Sequence, residues 1–291
     1  MNWPKIIDLH MHTTVSDGTD TPAEIFERVK EAGIDMFSIT DHDAVKGCRM
    51  IRELLTPEDP KFITGIEFSC KDEDGKYHIL GYGYDPEAES MEKTVALGHS
   101  YRMKKLKARL KFLKKEFSID LPQEDKDRLY AMDNPGKPHI ANILARLGFA
   151  ENKDKAIREF LNKQSFKSQY VRPEEAIEGI LGAGGIPVLA HPTYGSGDQL
   201  LLGEEMDERL KKLMGFGLQG VEAFYSGFTK RLRDQVLAFA DKYDLYVTAG
   251  SDYHGANKLV ALKDTGCPDA SEGPENLKRF IRDVQDRIIN Q

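Results

Sequence analysis

Seven short apolar runs, separated mostly by helical patterns, constrain the fold of this chain more than any other feature. They lie at 6–9, 36–39, 62–66, 77–80, 187–190, 221–224 and 245–249, lengths that suit buried strands. Between most of them stand amphipathic stretches with helix punctuation. The stretch 22–31 carries proline at an N-terminal position, 172–183 ends at Gly184-Gly185, and 230–243 follows the sixth run. Strand alternating with helix predicts βα units, parallel pairing and an α/β fold. At 291 residues the chain is long for one domain, yet barrel folds with insertions reach this size as a single unit.

The alternation fails at 93–169, where Leu106, Leu110, Leu113 and Phe117 fall at helical spacing and no strand signal appears. This segment reads as a helical insertion between barrel halves 1–92 and 170–291, and 274–289 reads as a terminal helix. The charge divides with it: 93–169 carries net +9 and the remainder net −16, within a total of −7. Eight of the basic residues fall between Arg102 and Lys115. They form either a solvated helix face or a basic lid over an anionic substrate. No run of apolar residues is long enough to span a bilayer. Cys48, Cys70 and Cys267 are far apart with no CxxC pair, and the N-terminus lacks a signal-like apolar stretch, so a reducing cytoplasm is expected. No obligate protein partner is evident.

The chemistry gathers at the ends of the strands. The first run leads into Asp8-Leu9-His10-Met11-His12, and alternation along a strand puts His10 and His12 on one side. The second leads into Thr40-Asp41-His42-Asp43, the third into Gly65-Ile66-Glu67, and the fourth contains His78. The fifth ends at His191-Pro192 and the seventh at Ser251-Asp252-Tyr253-His254. In a parallel barrel those ends share one face, where active sites are built. Imidazoles and carboxylates together select a divalent ion such as Zn²⁺, Mn²⁺ or Fe²⁺. With Asp17 from the loop Ser16-Asp17-Gly18, the candidates outnumber the needs of one tetrahedral ion, so several ions are implied. A satisfied core histidine is the alternative for any one member, above all for His78, which sits within its strand. Asp8 and Asp41 either accept from imidazoles or hydrogen-bond in the core, the latter favoured, and Asp43 is expected to cap the following helix. Tyr225 and Ser226 follow the sixth strand and are candidate substrate contacts. Gly182-Ala183-Gly184-Gly185 stands after a helix and before a strand, the reverse of a nucleotide loop, and reads as a helix C-terminal turn.

The ordered set His10-Met11-His12, Ser16-Asp17-Gly18, Thr40-Asp41-His42-Asp43, Gly65-Ile66-Glu67, His191-Pro192 and Ser251-Asp252-Tyr253-His254-Gly255 resembles the polymerase and histidinol phosphatase (PHP) superfamily. The resemblance implies a distorted seven-stranded β/α barrel with an inserted helical lid, and metal-dependent phosphoesterase activity. It also implies two or three divalent ions per chain, manganese first and iron or zinc next. Carried over by position, one ion takes His10, His12, Glu67 and Asp252. Glu67 bridges to a second with His78 and His191, and Asp17, His42 and His254 hold a third. His10, His12, Glu67, His191, Asp252 and His254 are the implied catalytic set. The insertion, through Lys137-Pro138-His139, resembles the branch that acts on nucleoside 3′,5′-bisphosphates and RNA 5′ ends. Lys137 and His139 are then its substrate contacts, with Arg102 and Lys105 of the same type. Arginine is the commoner residue at position 137, and lysine keeps the charge without the bidentate fork. The expected substrate is a small phosphorylated nucleotide or short RNA, attacked by a water that paired ions activate. The leaving alkoxide takes its proton either from a histidine or from water. A histidinol-phosphate-type phosphatase and a non-catalytic nucleic-acid-binding module are the alternatives.

Overall fold

The structure, a computed structural model, describes residues 3–164, 169–194 and 200–289. The chain opens with β1 (Ile7–Asp8), α1 (Pro22–Glu31), β2 (Met36–Phe37), α2 (Lys46–Leu54) and β3 (Lys61–Phe62), followed by β4 (Gly65–Lys71) and β5 (Lys76–Tyr82). Four helices come next: α3 (Glu89–Phe117), α4 (Gln123–Ala131), α5 (Lys137–Arg146) and α6 (Lys153–Glu159). Alternation then resumes with α7 (Pro173–Gly182), β6 (Ile186–Leu189), α8 (Gly203–Gly215), β7 (Gly220–Tyr225), α9 (Lys230–Tyr243), β8 (Tyr246–Gly250) and α10 (Glu275–Asp283). The local signals behave as chemistry requires. Thr21 caps α1 by accepting from the Glu24 N–H, the Glu24 carboxylate accepts from the Thr21 N–H at 2.7 Å, and Pro22 occupies the first turn.

The α/β class is as expected, but the described strands do not form one seven-stranded barrel. They form two sheets, β1-β2-β3 and β4-β5-β6-β7-β8. The run expected at 62–66 is divided: Lys61 and Phe62 pair with β2, while from Gly65 onward the chain pairs with β5. Isolated parallel bridges Met11–Tyr253 and His42–Glu67 link the sheets at their edges.

The expected all-parallel pairing is also corrected. β5 is antiparallel to both β4 and β6, whereas β6, β7 and β8 are parallel. Only residues 72–75 join β4 to β5. A parallel crossover takes roughly a dozen residues or more, so a hairpin is the available connection. Gly75 turns it at φ 138, a conformation that a side chain resists. Because β5 runs backwards, its early residue His78 pairs with Ser69 and lies level with Leu189 and Ala190, at the end of the sheet where its parallel strands finish.

Apolar residues of β4–β8 and α7–α10 make the principal core, and a second cluster packs α1 and α2 on Phe37, Ile39 and Phe62. A third cluster is drawn entirely from 106–161, with Leu106, Leu113, Leu129, Ile140 and Leu144 buried in it, so α3–α6 have an apolar centre of their own. Among the described residues no helix is long and apolar enough to cross a membrane.

Candidate metal centre

Glu67 is the hub of the site. It is 1% exposed, and its two oxygens face five imidazoles. Oε2 lies 3.4 Å from His10 Nε2, 3.2 Å from His12 Nε2 and 3.0 Å from His42 Nδ1. Oε1 lies 2.8 Å from His78 Nδ1 and 3.3 Å from His191 Nε2. Asp252 Oδ1 closes the His10 and His12 side at 3.6 and 3.5 Å, and reaches His254 Nδ1 at 3.3 Å. His254 Nε2 faces Asp17 Oδ1 at 3.3 Å and its ring stacks on His12 with centroids 4.0 Å apart. All nine residues expected as ligands thus meet in one place, with His78 brought in by the reversed strand.

Compact donor groups emerge within this cluster: His10-His12-Glu67, His42-Glu67-His78, and His12-Asp17-His42-His254. His12, His42 and Glu67 each fall in two of them. Asp43, His191 and Asp252 have φ values of 50, 30 and 59. A left-handed backbone outside glycine costs energy and persists where the surroundings enforce it, so the strand ends are bent to deliver these side chains. β8 must also approach β1 closely, since a Cβ on Gly250 would stand 2.2 Å from His10 Cβ.

The electrostatics demand positive charge. Burial would raise the Glu67 carboxyl, but His78, His42 and His10 hold it well below the usual range, and Asp17 and Asp252 are likewise held low by their histidines against burial. The imidazoles cannot all supply that charge as protonated rings. Burial lowers His42 to about 3, whereas Asp252 and Glu67 overcome burial to lift His12 to about 9. His10 Nε2 and His12 Nε2 lie 3.2 Å apart, two imidazole nitrogens turned towards each other and towards the same carboxylate oxygens. Imidazole nitrogens converging on buried carboxylates fit divalent cations of the borderline-to-hard kind. Cysteine is absent from the cluster: Cys48 spends its thiol on the Ile39 and Gly65 carbonyls.

Three further carboxylates flank the cluster, and only Asp43 departs from its expected role. Asp8 accepts from the Ser251 and Lys263 N–H groups, and Asp41 from Thr13 and Ser16, so both tie loops to strands and neither serves an imidazole. Asp43 does not cap α2, whose N-cap is Val45; its carboxylate instead accepts from the Ser69 N–H and from Arg102. The imidazole's acceptor is Glu222, which the strand pattern concealed. Fully buried in β7, it lies 2.9 Å from His10 Nδ1 and accepts from the His191 N–H at 2.9 Å. A lone carboxylate in an otherwise apolar strand was the available signal. Tyr225 donates to Asp252 Oδ2 at 2.9 Å and accepts from Lys258, so it steadies the carboxylate, and Ser226 is not among the residues lining the basins at the site.

Two basins meet here and share Asp17, His78 and Pro138. One, about 280 Å³, is floored by His42, Glu67, His191, Asp252 and His254 and edged by Lys153, Asn257 and Lys258. The other, about 230 Å³, is walled by Lys76, Arg102, Lys105, Arg109 and Lys137 with Tyr170. The eight basic residues between Arg102 and Lys115 on α3 therefore divide. Arg102, Lys105 and Arg109 fall within about 60° of the helix circumference and line the second basin. Lys104, Lys107, Lys111, Lys114 and Lys115 are exposed on the other side. Lys105, 6% exposed, sits 3.6 Å over the Tyr170 ring, and neither it nor Arg109 is paired with a carboxylate among the described residues. Burial first, then Arg102, pushes the Lys105 ammonium down to about 7. Lys137 reaches Asn162 Oδ1 at 2.6 Å. His139 caps its own helix, Nδ1 accepting from the Gly136 N–H at 3.0 Å, with its ring half-buried near Ser16 and Asp17.

The PHP domain model matches residues 8–177, more than half of the chain, with most of the cluster inside the match. The chain belongs to the PHP domain family. Among curated PHP relatives, a 3′,5′-nucleoside bisphosphate phosphatase of Chromobacterium violaceum is 29% identical, the alignment covering 97% of this chain and 98% of the relative. A 5′-3′ exoribonuclease of Haemophilus influenzae is 28% identical over 86% and 90% of the two chains. A solved structure from Bifidobacterium adolescentis, described as a candidate metal-dependent phosphoesterase, superposes with TM-score 0.77 at 27% identity and 94% coverage of both chains.

Proposed function

We propose that this PHP protein is a metal-dependent phosphoesterase that removes the 3′-phosphate of nucleoside 3′,5′-bisphosphates and also trims short RNA from its 5′ end. The second, basic basin carries this reading. A buried lysine and an arginine without carboxylate partners are stabilised when an anion enters, and this anion site opens beside a metal-binding cluster. A substrate with one phosphate leaves that basin empty, whereas a bisphosphate fills both, which favours it over histidinol phosphate. The names of the relatives from Chromobacterium and Haemophilus support the same substrate class. The non-catalytic binding module is disfavoured, because three of the eight cations between Arg102 and Lys115 face inward to the site.

In this reading 93–169 is an inserted lid on the body formed by 1–92 and 170–291. His10, His12, Glu67 and Asp252 hold one ion, Glu67, His78 and His191 a second, and Asp17, His42 and His254 a third, with manganese the first candidate. Ions held there would supply an activated water and neutralise charge on phosphoryl oxygens. The chain's own residues position the reaction. Lys105, Arg109 and Lys137 take the phosphate that is not cleaved, and Lys258 and Lys153 stand at the rim of the metal basin. Glu222 holds the His10 ring so that Nε2 faces inward.

The test is phosphate release with added Mn²⁺ from adenosine 3′,5′-bisphosphate, a short 5′-phosphorylated RNA and histidinol phosphate, with a His10→Ala, Glu67→Ala double variant as control. Turnover of the first two that vanishes in the control is the expected result. Turnover of histidinol phosphate alone overturns the substrate class, and tight RNA binding without any turnover restores the binding-module reading.

A further inference from the structure

The guanidinium of Arg102 is engaged with protein, at odds with the substrate contact expected of it. Its Nε and Nη2 both lie 2.6 Å from Asp43 Oδ2, and Nη2 donates to Ser69 Oγ at 2.7 Å. Asp43 is 4% exposed and holds φ 50. It stands at the junction of two candidate ligands. His42 precedes it in the chain, its own N–H donates to the Glu67 carbonyl at 3.0 Å, and its Oδ1 accepts from the Ser69 N–H at 3.0 Å. Ser69 Oγ in turn lies 3.4 Å from His42 Nδ1.

The helical segment grips this corner at further points. Asn134, between α4 and α5, donates from Nδ2 to the His42 carbonyl. Its neighbour Asp133 is fixed to α3, where His99 Nδ1 lies 2.7 Å from the Asp133 carbonyl, and to α2 through Lys46 at 3.0 Å. Gly98, one turn before Arg102 on α3, sits so close that a Cβ there would come 3.2 Å from Asp43 Cβ. A buried carboxylate in a left-handed turn needs a cation and a rigid wall, and α3 provides both.

We propose that Arg102 and Asn134 are positioning residues that lock the His42–Asp43 turn, so that the helical segment builds one wall of the metal centre as well as covering it. The inference rests on the reading that the histidine cluster binds divalent ions. Arginine is needed because its fork engages Asp43 and Ser69 together, a geometry that lysine cannot copy. Loss of Arg102 leaves Asp43 buried without its cation, the turn relaxes, and the ion that depends on His42 is the one weakened.

The experiment is calorimetric titration of metal-stripped protein with Mn²⁺, with retained ions counted by elemental analysis, for the wild type, Arg102→Ala, Arg102→Lys, Asn134→Ala and the basin variant Lys105→Ala. Arg102→Ala and Asn134→Ala are expected to weaken the weakest Mn²⁺ step by about tenfold or more, with Arg102→Lys intermediate and Lys105→Ala like wild type. At saturating Mn²⁺ the KM for adenosine 3′,5′-bisphosphate should stay within about threefold of wild type in the Arg102 variants while kcat recovers. Wild-type Mn²⁺ uptake in both Arg102 and Asn134 variants, with a raised KM in the former, overturns the proposal and returns Arg102 to substrate binding. Absence of Mn²⁺ uptake by the wild type instead sinks the metal-centre reading itself. Should Arg102→Ala fail to fold, Arg102→Lys and Asn134→Ala decide the question.

Discussion

Glu222 and Lys105 are charged residues in dry surroundings, and each makes a measurable demand on the protein. Glu222→Ala leaves the His10 ring and the His191 N–H buried without an acceptor. It should cost about 1–3 kcal/mol in thermal or urea unfolding and about 10–100-fold in Mn²⁺ affinity. Retention of wild-type affinity would show that His10 is oriented by something else. Lys105 opposes stability through pH. Its ammonium is lowered to about 7 from an ordinary 10.5, first by burial and then by Arg102. The unfolded chain keeps that proton up to its higher pKa, so between pH 7 and 10.5 the unfolded state binds more protons, and this group's contribution to stability rises with pH across that window. At neutral pH and below the penalty is undiminished. Lys105→Met should therefore stabilise the anion-free protein at pH 6.5 by about 1–3 kcal/mol. Inorganic phosphate is expected to raise the melting temperature of the metal-stripped wild type, and the variant should lose that rise. A variant no more stable than wild type would mean that the ammonium is solvated.

Helix α3 demonstrates how one element can serve two surfaces. Positions three and four apart share a face, so Arg102, Lys105 and Arg109 turn inward beside the stripe of Leu106, Leu110 and Leu113, while Lys107 and Lys111 project to water. Arg109→Ala should raise KM for the bisphosphate by about tenfold, an order typical of one charge-assisted phosphate contact. A Lys107→Gln, Lys111→Gln pair should leave KM unchanged at physiological salt. Equal effects from both would mean that the helix works as a diffuse basic surface. The β4–β5 hairpin is the other decisive element. By reversing β5 it brings His78 Nδ1 to 2.8 Å from Glu67, so a histidine in the interior of a strand joins the candidate site.

For the molecule as a whole, buried carboxylates and imidazoles make stability depend on what fills the centre. Divalent ions that bind only the folded state should add about 2.7 kcal/mol at a free concentration one hundred times Kd, and chelation should remove it. Melting curves with Mn²⁺ and with chelator read this directly, and indifference to both would contradict a metal centre. The sequence alone determined the α/β class, the helical segment with its excess of basic residues, and a set of candidate ligands near strand ends, because strand alternation and the placement of histidines are local properties, while the resemblance to the PHP family narrowed that set to the nine residues of the cluster. Tertiary structure decided the rest. Whether β5 ran with or against its neighbours depended on a four-residue turn between two strands that looked alike. That the strands divided into two sheets depended on the partner each half of 61–71 found. The roles of Glu222, Asp43 and Arg102 arose from contacts between residues 212, 26 and 59 positions apart, and no periodicity in a sequence records which distant side chains will meet in a buried space.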